Sequence, residues 1–176
     1  MIAILAGLML LTSEVTCAVS KTHLEYSKVS MVDGSTYKMR LLDKYGDEIK
    51  SSNIAWKSED KSIAKVSKNG KITAKKKGSV KISATYRGKT YKVKVKVNHL
   101  SRKAILKAFG IPNKSRFKVK KAWVNYWDGI GTFGVYIEIY DGKKPFASAF
   151  CDLKNGKPGK MIWFAEGASD IIAKLK

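Results

Sequence analysis

Glu138 and Asp152 fall on neighbouring predicted strands and are the first residues to suggest acid–base chemistry. A glycosidase needs two such carboxylates about 5–10 Å apart across a sugar-binding cleft, and nothing in the pattern predicts a cleft. Cys151 and His99 are the types that make a thiol nucleophile and its base. Cys151, however, alternates with Ala147, Ala149 and Leu153 on one apolar strand face, the setting of an inert buried thiol. His23 and His99 form no H-x-x-x-H pair, and no cysteine pair completes a zinc set. Asp33, Asp43, Asp47, Glu59 and Asp60 lack the D-x-D-x-D-G spacing of a calcium loop. Gly-rich phosphate loops and G-x-S-x-G elbows are absent. The reading is a non-enzyme with no catalytic residue, no metal and no cofactor.

Aromatic residues offer more. In the stretch 122–127, Trp123 and Trp127 share one strand face while Val124 and Tyr126 share the other. Over 131–140, Phe133, Val135, Ile137 and Ile139 point inward, which leaves Tyr136, Glu138 and Tyr140 outward. Lys118 and Lys120 flank these rings. Exposed rings beside cations suit the faces of anionic sugars, so Trp123, Trp127, Tyr136, Tyr140, Lys118 and Lys120 form the candidate ligand-binding set.

The chain carries 35 Lys and Arg against 14 Asp and Glu, a formal charge of +21. The excess is spread: 20 basic residues against 7 acidic over 21–97, and 15 against 6 over 98–176. Only Arg40, Arg87, Arg102 and Arg116 are arginine. Lysine acts as a hydrated point charge and lacks the fork that reads guanine or clamps phosphate. Such a surface attracts polyanions loosely and with strong salt dependence. A cell-wall polymer or anionic glycan is therefore the expected partner, with a protein partner as a second option. Nucleic acid is not expected as the main one.

These side chains must be positioned by strands. From Leu24 to Val97, short apolar runs recur every eight to twelve residues between turn residues, as in an all-β sandwich. The runs are Glu25–Met31, Thr36–Leu42, Ala55–Ser58, Ile63–Ser67, Lys71–Ala74, Gly78–Tyr86 and Lys89–Val97, with Arg87-Gly88 as a hairpin turn. Ser101 then caps a helix through Phe109, stopped by Gly110 and Pro112. Four strands follow, Phe117–Trp127, Gly131–Tyr140, Pro145–Leu153 and Lys160–Ala165, and a last helix starts near Ser169. The expected architecture is multidomain: an all-β sandwich over 22–97, then a small α+β module over 98–176. That module would hold an N-terminal helix, a four-stranded antiparallel meander and a short C-terminal helix.

Ile2–Leu11 is a ten-residue apolar run, too short to span a bilayer, followed by small residues at Thr16-Cys17-Ala18 and Ala18-Val19-Ser20. Residues 1–20 read as a secretory signal peptide, although no Lys or Arg precedes the run. Cys17 raises the question of lipidation, but Glu14-Val15-Thr16 makes a poor lipobox. After cleavage Cys151 would be the last cysteine, with no disulfide and no transmembrane span.

The run Ile54–Ala74 sets Trp56, Ser58, Asp60, Ile63-Ala64, Val66, Gly70, Ile72 and Ala74 in fixed order. It resembles the W-x-S-x-D-x-S-[IV]-A-x-V-[SD]-x-x-G-x-[IV]-x-A pattern of the bacterial Ig-like group 2 (BIG2) domain. Val32–Thr36, Lys76–Ala84 and Tyr91–Val97 resemble further stretches of that family. The resemblance implies an Ig-like sandwich with Trp56 in its core, and a secreted or surface, adhesive, non-catalytic role. The 98–176 segment is similar to PepSY-type modules in the order of its elements. The expected function is a secreted or surface binding protein, with the Ig-like part as spacer and the second part as recognition module. The alternative is a regulator or inhibitor of a secreted enzyme.

Overall fold

A computed structural model of the chain describes residues 21–128, 131–153 and 161–163. The predicted signal peptide and the helix expected from Ser169 lie outside the described residues. In chain order the strands are β1 (His23–Leu24), β2 (Lys28–Val32), β3 (Thr36–Lys38), β4 (Leu41–Leu42), β5 (Ala55–Ser58), β6 (Ala64–Val66), β7 (Lys71–Ala74), β8 (Gly78–Tyr86) and β9 (Lys89–Asn98). A short helix α1 (Arg102–Ala108) precedes β10 (Phe117–Trp127), β11 (Thr132–Asp141), β12 (Lys144–Asp152) and β13 (Met161–Trp163).

Alternation decides which face each strand buries. Val80, Ile82 and Ala84 of β8 and Val93, Val95 and Val97 of β9 are buried, while the lysines between them are exposed. Arg87 and Gly88 both take positive φ, 48° and 74°, and close the β8–β9 hairpin in the hand that twisted strands prefer. β2 pairs with β9 in parallel, giving a four-stranded sheet in the order β2-β9-β8-β5. The residues at 54–74 each have a local task. Ser58 Oγ donates to the Ala64 carbonyl at 2.7 Å, and Asp60 Oδ1 accepts from the Ser62 amide at 2.7 Å. Gly70, at φ 75°, lies under the Trp56 ring and the Met39 carbonyl, where a Cβ would meet Met39 O at 2.7 Å. Trp56 is only partly buried and packs against the core from its edge.

Sequence patterning predicts a separate α+β module after residue 98, and here the structure differs. β10 pairs in parallel with β3 through Trp123 and Thr36, so the later strands extend an Ig-like sheet instead of forming their own layer. One sheet runs β13-β12-β11-β10-β3-β7-β6 opposite β2-β9-β8-β5. The fold is mostly a β-sandwich of Ig-like type, with one α-helix among the described residues. That helix is seven residues long, capped by Ser101 Oγ, which accepts from the Ala104 amide at 3.2 Å. Ile105, Leu106 and Phe109 are buried, and α1 lies against β10. Arg102 ties it down by donating to the Phe117 carbonyl (2.7 Å) and to Asn113. Alternation specifies a strand's faces but not which sheet edge it joins, so the parallel pairing leaves no local signal.

Two clusters weld the halves together. Tyr26, Tyr37, Tyr126 and Phe133 form an aromatic group, with Tyr126 and Phe133 edge to face at 5.1 Å and Tyr37 and Phe133 at 5.7 Å. Further along the seam, Lys121 Nζ donates to Asp33 Oδ1 at 2.7 Å and to the Leu100 carbonyl at 3.1 Å. His99 Nδ1 lies 2.9 Å from Asp33 Oδ2. Burial pushes the Asp33 carboxyl up, but hydrogen bonds from Lys121, the Leu100 amide and His99 outweigh it and hold the group below the usual carboxylate range.

Candidate functional site

The outward face of β10, β11 and β12 carries the predicted aromatic set, and a bulge decides how it is presented. Lys121 stands opposite Ile137, but Val124 stands opposite Val135, so β10 holds one extra residue between them. Before the bulge Phe117 is buried and Lys118 and Lys120 point out; after it Val124 is buried and Trp123, Asn125 and Trp127 point out. Thr36 Oγ1 donates to the Ala122 carbonyl at 3.2 Å, fixing the bulged backbone to β3.

Trp123 stacks on Tyr136 with centroids 5.0 Å apart and planes at 12°. Phe150 comes between the two tryptophans, 4.6 Å and nearly perpendicular to Trp127, 6.4 Å from Trp123. The Phe150 ring covers Gly134, the mid-strand glycine of β11, and is itself buried although it lies on the outward face. Trp123 remains 45% exposed and Trp127 36%. Together the rings line a shallow groove of about 420 Å³ with Asn125 on its rim. A second groove, also about 420 Å³, shares Trp123 and Asn125 and is lined beyond them by Glu25, Lys38, Arg40 and Glu48. Trp123 is thus the partition between an apolar hollow and a charged one.

The structure brings Trp123, Tyr136 and, through Phe150, Trp127 together, and places the other three candidates further along the sheet. Lys120 Nζ lies 2.8 Å from Glu138 Oε2, which also accepts from Tyr140 Oη at 2.9 Å. Lys120 is therefore paired, while Lys118 stands exposed opposite Tyr140. The Lys120 hydrogen bond, aided by Tyr140 and opposed by partial burial, holds the Glu138 carboxyl below its ordinary range. A carboxylate held ionised in this way is a poor proton donor near neutrality. Register also separates it from Asp152: Glu138 pairs with Ser148 and Asp152 with Gly134, four positions along β11, about 13 Å. Cys151 is fully buried, and His99 is engaged with Asp33. Among the described residues no group of three or more His, Cys, Asp or Glu is placed to hold a metal, and no helix is long and apolar enough to cross a membrane.

Sequence reasoning passes over Phe150 and Asn125 as site residues. Gly134 is the available signal, because a glycine inside an otherwise regular strand marks a close approach by another group. Tyr45, 77% exposed at the 43–47 turn beside Lys44, gives no such signal.

Residues 18–97 match the family model of the bacterial Ig-like domain (group 2). This bears out the Ig-like resemblance for the first part of the chain and supports a surface or adhesion-type protein; the later strands carry no family assignment. No match was found among curated proteins. Among solved structures, domains 4 and 5 of the S-layer protein SbsC align at 24% identity over 44% of this chain and 51% of that one, with a TM-score of 0.36. SbsC domains 4–9 align at 18% over 85% and 23%, with a TM-score of 0.40. An intimin mutant of EHEC O157:H7 aligns at 23% over 56% and 39%, with a TM-score of 0.31. The chain spans about a quarter to a half of the length of these three structures. Likeness at this level says nothing about what the chain binds.

Proposed function

We propose that this is a secreted or cell-surface, non-enzymatic binding protein whose recognition face is the aromatic platform on β10, β11 and β12. The observation that carries this reading is the Trp123–Tyr136 stack, half open to solvent and buttressed by Phe150 and Trp127. A ring presented at the surface on a rigid strand stacks on the apolar face of a sugar at little cost in side-chain entropy. In the charged groove on the other side of Trp123, Arg40 is paired with Glu25 and Lys38 with Glu48, so the exposed Lys71 is the cation placed for an anionic substituent. The occupant is a cell-wall polymer or anionic glycan. The Big_2 match, and the separation of Glu138 from Asp152 among the described residues, favour a binding role over a catalytic one. A regulator of a secreted enzyme acting through the later strands is the second reading; those strands share a sheet with the Ig-like part.

The test is retention of the full chain on purified bacterial cell walls and on a glycan array, compared with Trp123→Ala. Retention that falls about tenfold in the variant, a loss of about 1.4 kcal/mol, supports the reading. Equal retention of the two proteins at salt high enough to release purely ionic binding overturns it.

A further inference from the structure

The outward face of the sheet β2-β9-β8-β5 carries a charge pattern that the fold does not need. Register sets Lys28 beside Lys94, and Lys94 beside Lys81, so three ammonium groups stand in one row across three strands. Lys92 and Lys96 flank this row along β9. Lys57 on β5 stands beside Ser83, which in turn stands opposite Lys92. All six lysines are exposed, and the four strands contain no Asp or Glu. Among the described residues one carboxylate reaches the set, Glu59 at 3.8 Å from Lys92.

Like charges directly opposite each other weaken a sheet. Solubility is served as well by mixed signs, and lysines that guard against aggregation belong on edge strands. Here Lys81, Lys92, Lys94 and Lys96 lie on β8 and β9, the two central strands. A row that costs stability at the centre of a sheet fits a partner of opposite sign outside it. Strands lie about 4.8 Å apart and alternate residues about 6.8 Å apart, so the lysines form a regular positive grid. Ammonium groups on flexible stems impose charge spacing but no orientation.

We propose that this lysine face binds an extended linear polyanion, a surface polymer with regularly repeated phosphate or carboxylate groups lying along β9. The Ig-like part is then a second binding surface and not only a spacer. It lies on the layer opposite the aromatic platform and does not depend on it, so the two faces can be occupied at once. Binding proceeds by release of condensed counterions and weakens steeply with salt.

The experiment titrates the full chain and its Lys94→Glu variant with linear polyphosphate and with polygalacturonate, at low and high salt. The variant should bind about tenfold more weakly at low salt, with a shallower salt dependence. It should also melt about 2–4 °C higher, because its carboxylate stands between Lys28 and Lys81. Weaker binding from a more stable protein excludes misfolding as the cause. Lys103→Glu, an exposed helix position with the same change in net charge, should bind as the parent does. Preference for one probe names the anionic group. Equal affinity of Lys94→Glu and parent overturns the assignment, as does an equal loss in Lys103→Glu or tighter binding to a DNA duplex of matched charge. Trp123→Ala should leave polyphosphate binding unchanged, and a loss there would overturn the independence of the two faces.

Discussion

Phe150 lies over Gly134 so closely that any Cβ at position 134 would enter its ring. The glycine is the floor on which the outward aromatic group is built, because it lets Phe150 lie down between Trp123 and Trp127. A phenylalanine covering a strand glycine in this way stabilises both.

Gly134→Ala is expected to destabilise the protein by about 1–3 kcal/mol, the usual cost of overpacking. It should also loosen the tryptophans, since Phe150 must rise. Urea unfolding gives the first effect, and near-UV circular dichroism of the native state gives the second. An unchanged aromatic spectrum would show that Phe150 does not set the geometry of the platform.

Asp33 and Lys121 provide a pH-dependent clasp between the two parts of the chain. The Asp33 carboxyl titrates lower folded than unfolded, so its contribution is fully present above about pH 4 and is lost as pH falls through the depressed folded value. Replacing Lys121 by Met should cost about 1–3 kcal/mol at neutral pH, leaving Asp33 partly buried without its cation. The acid limb of a stability-against-pH curve should flatten in Asp33→Asn relative to the parent.

Gly70 meets two obstacles to a side chain, its φ of 75° and the nearby Met39 carbonyl. Left-handed backbone alone costs a non-glycine residue about 1–2 kcal/mol. Gly70→Ala should therefore lose more than this, and Trp56 fluorescence should shift in the folded state because its ring rests on the same glycine. Thermal unfolding and emission spectra check both.

Arg87 is the one non-glycine residue with positive φ among the described residues. Asparagine tolerates that conformation, and Asn-Gly is the preferred pair for this turn. Arg87→Asn should raise stability by about 0.5–1 kcal/mol without altering the hairpin, as read by the shift in the denaturation midpoint.

Most of the strand faces were legible from residues alone. Val80, Ile82 and Ala84 or Phe133, Val135 and Ile137 alternate with polar neighbours, and a period of two is a local property. The motif of fixed spacing at 54–74 implied a core position for Trp56, which packs against the core but stays partly buried; its contact with Gly70 was not foreseen. Three features had no local signature. Thr36–Leu42 reads as one strand, but after Lys38 the chain leaves its sheet, and Leu41–Leu42 pairs with β1. The bulge near Ala122 reverses which parity faces outward, and β10 itself is continuous in sequence. The union of β10 with β3 joins residues from opposite parts of the chain, and alternation carries no information about partners. The candidate site was accordingly read in part: Trp123, Trp127 and Tyr136 were visible as outward rings, whereas Phe150 and the pairing of Lys120 with Glu138 depend on register.

The bond from Thr36 to Ala122 spans 86 residues. Closing so long a loop makes the sheet slow to complete during folding. While the chain emerges from its N-terminal end, the β3 strand, which carries Tyr37, waits with the edge that will meet β10 unpaired. A fragment ending at residue 98 would keep that edge open permanently. Its natural remedy would be to recruit the same edge of another molecule.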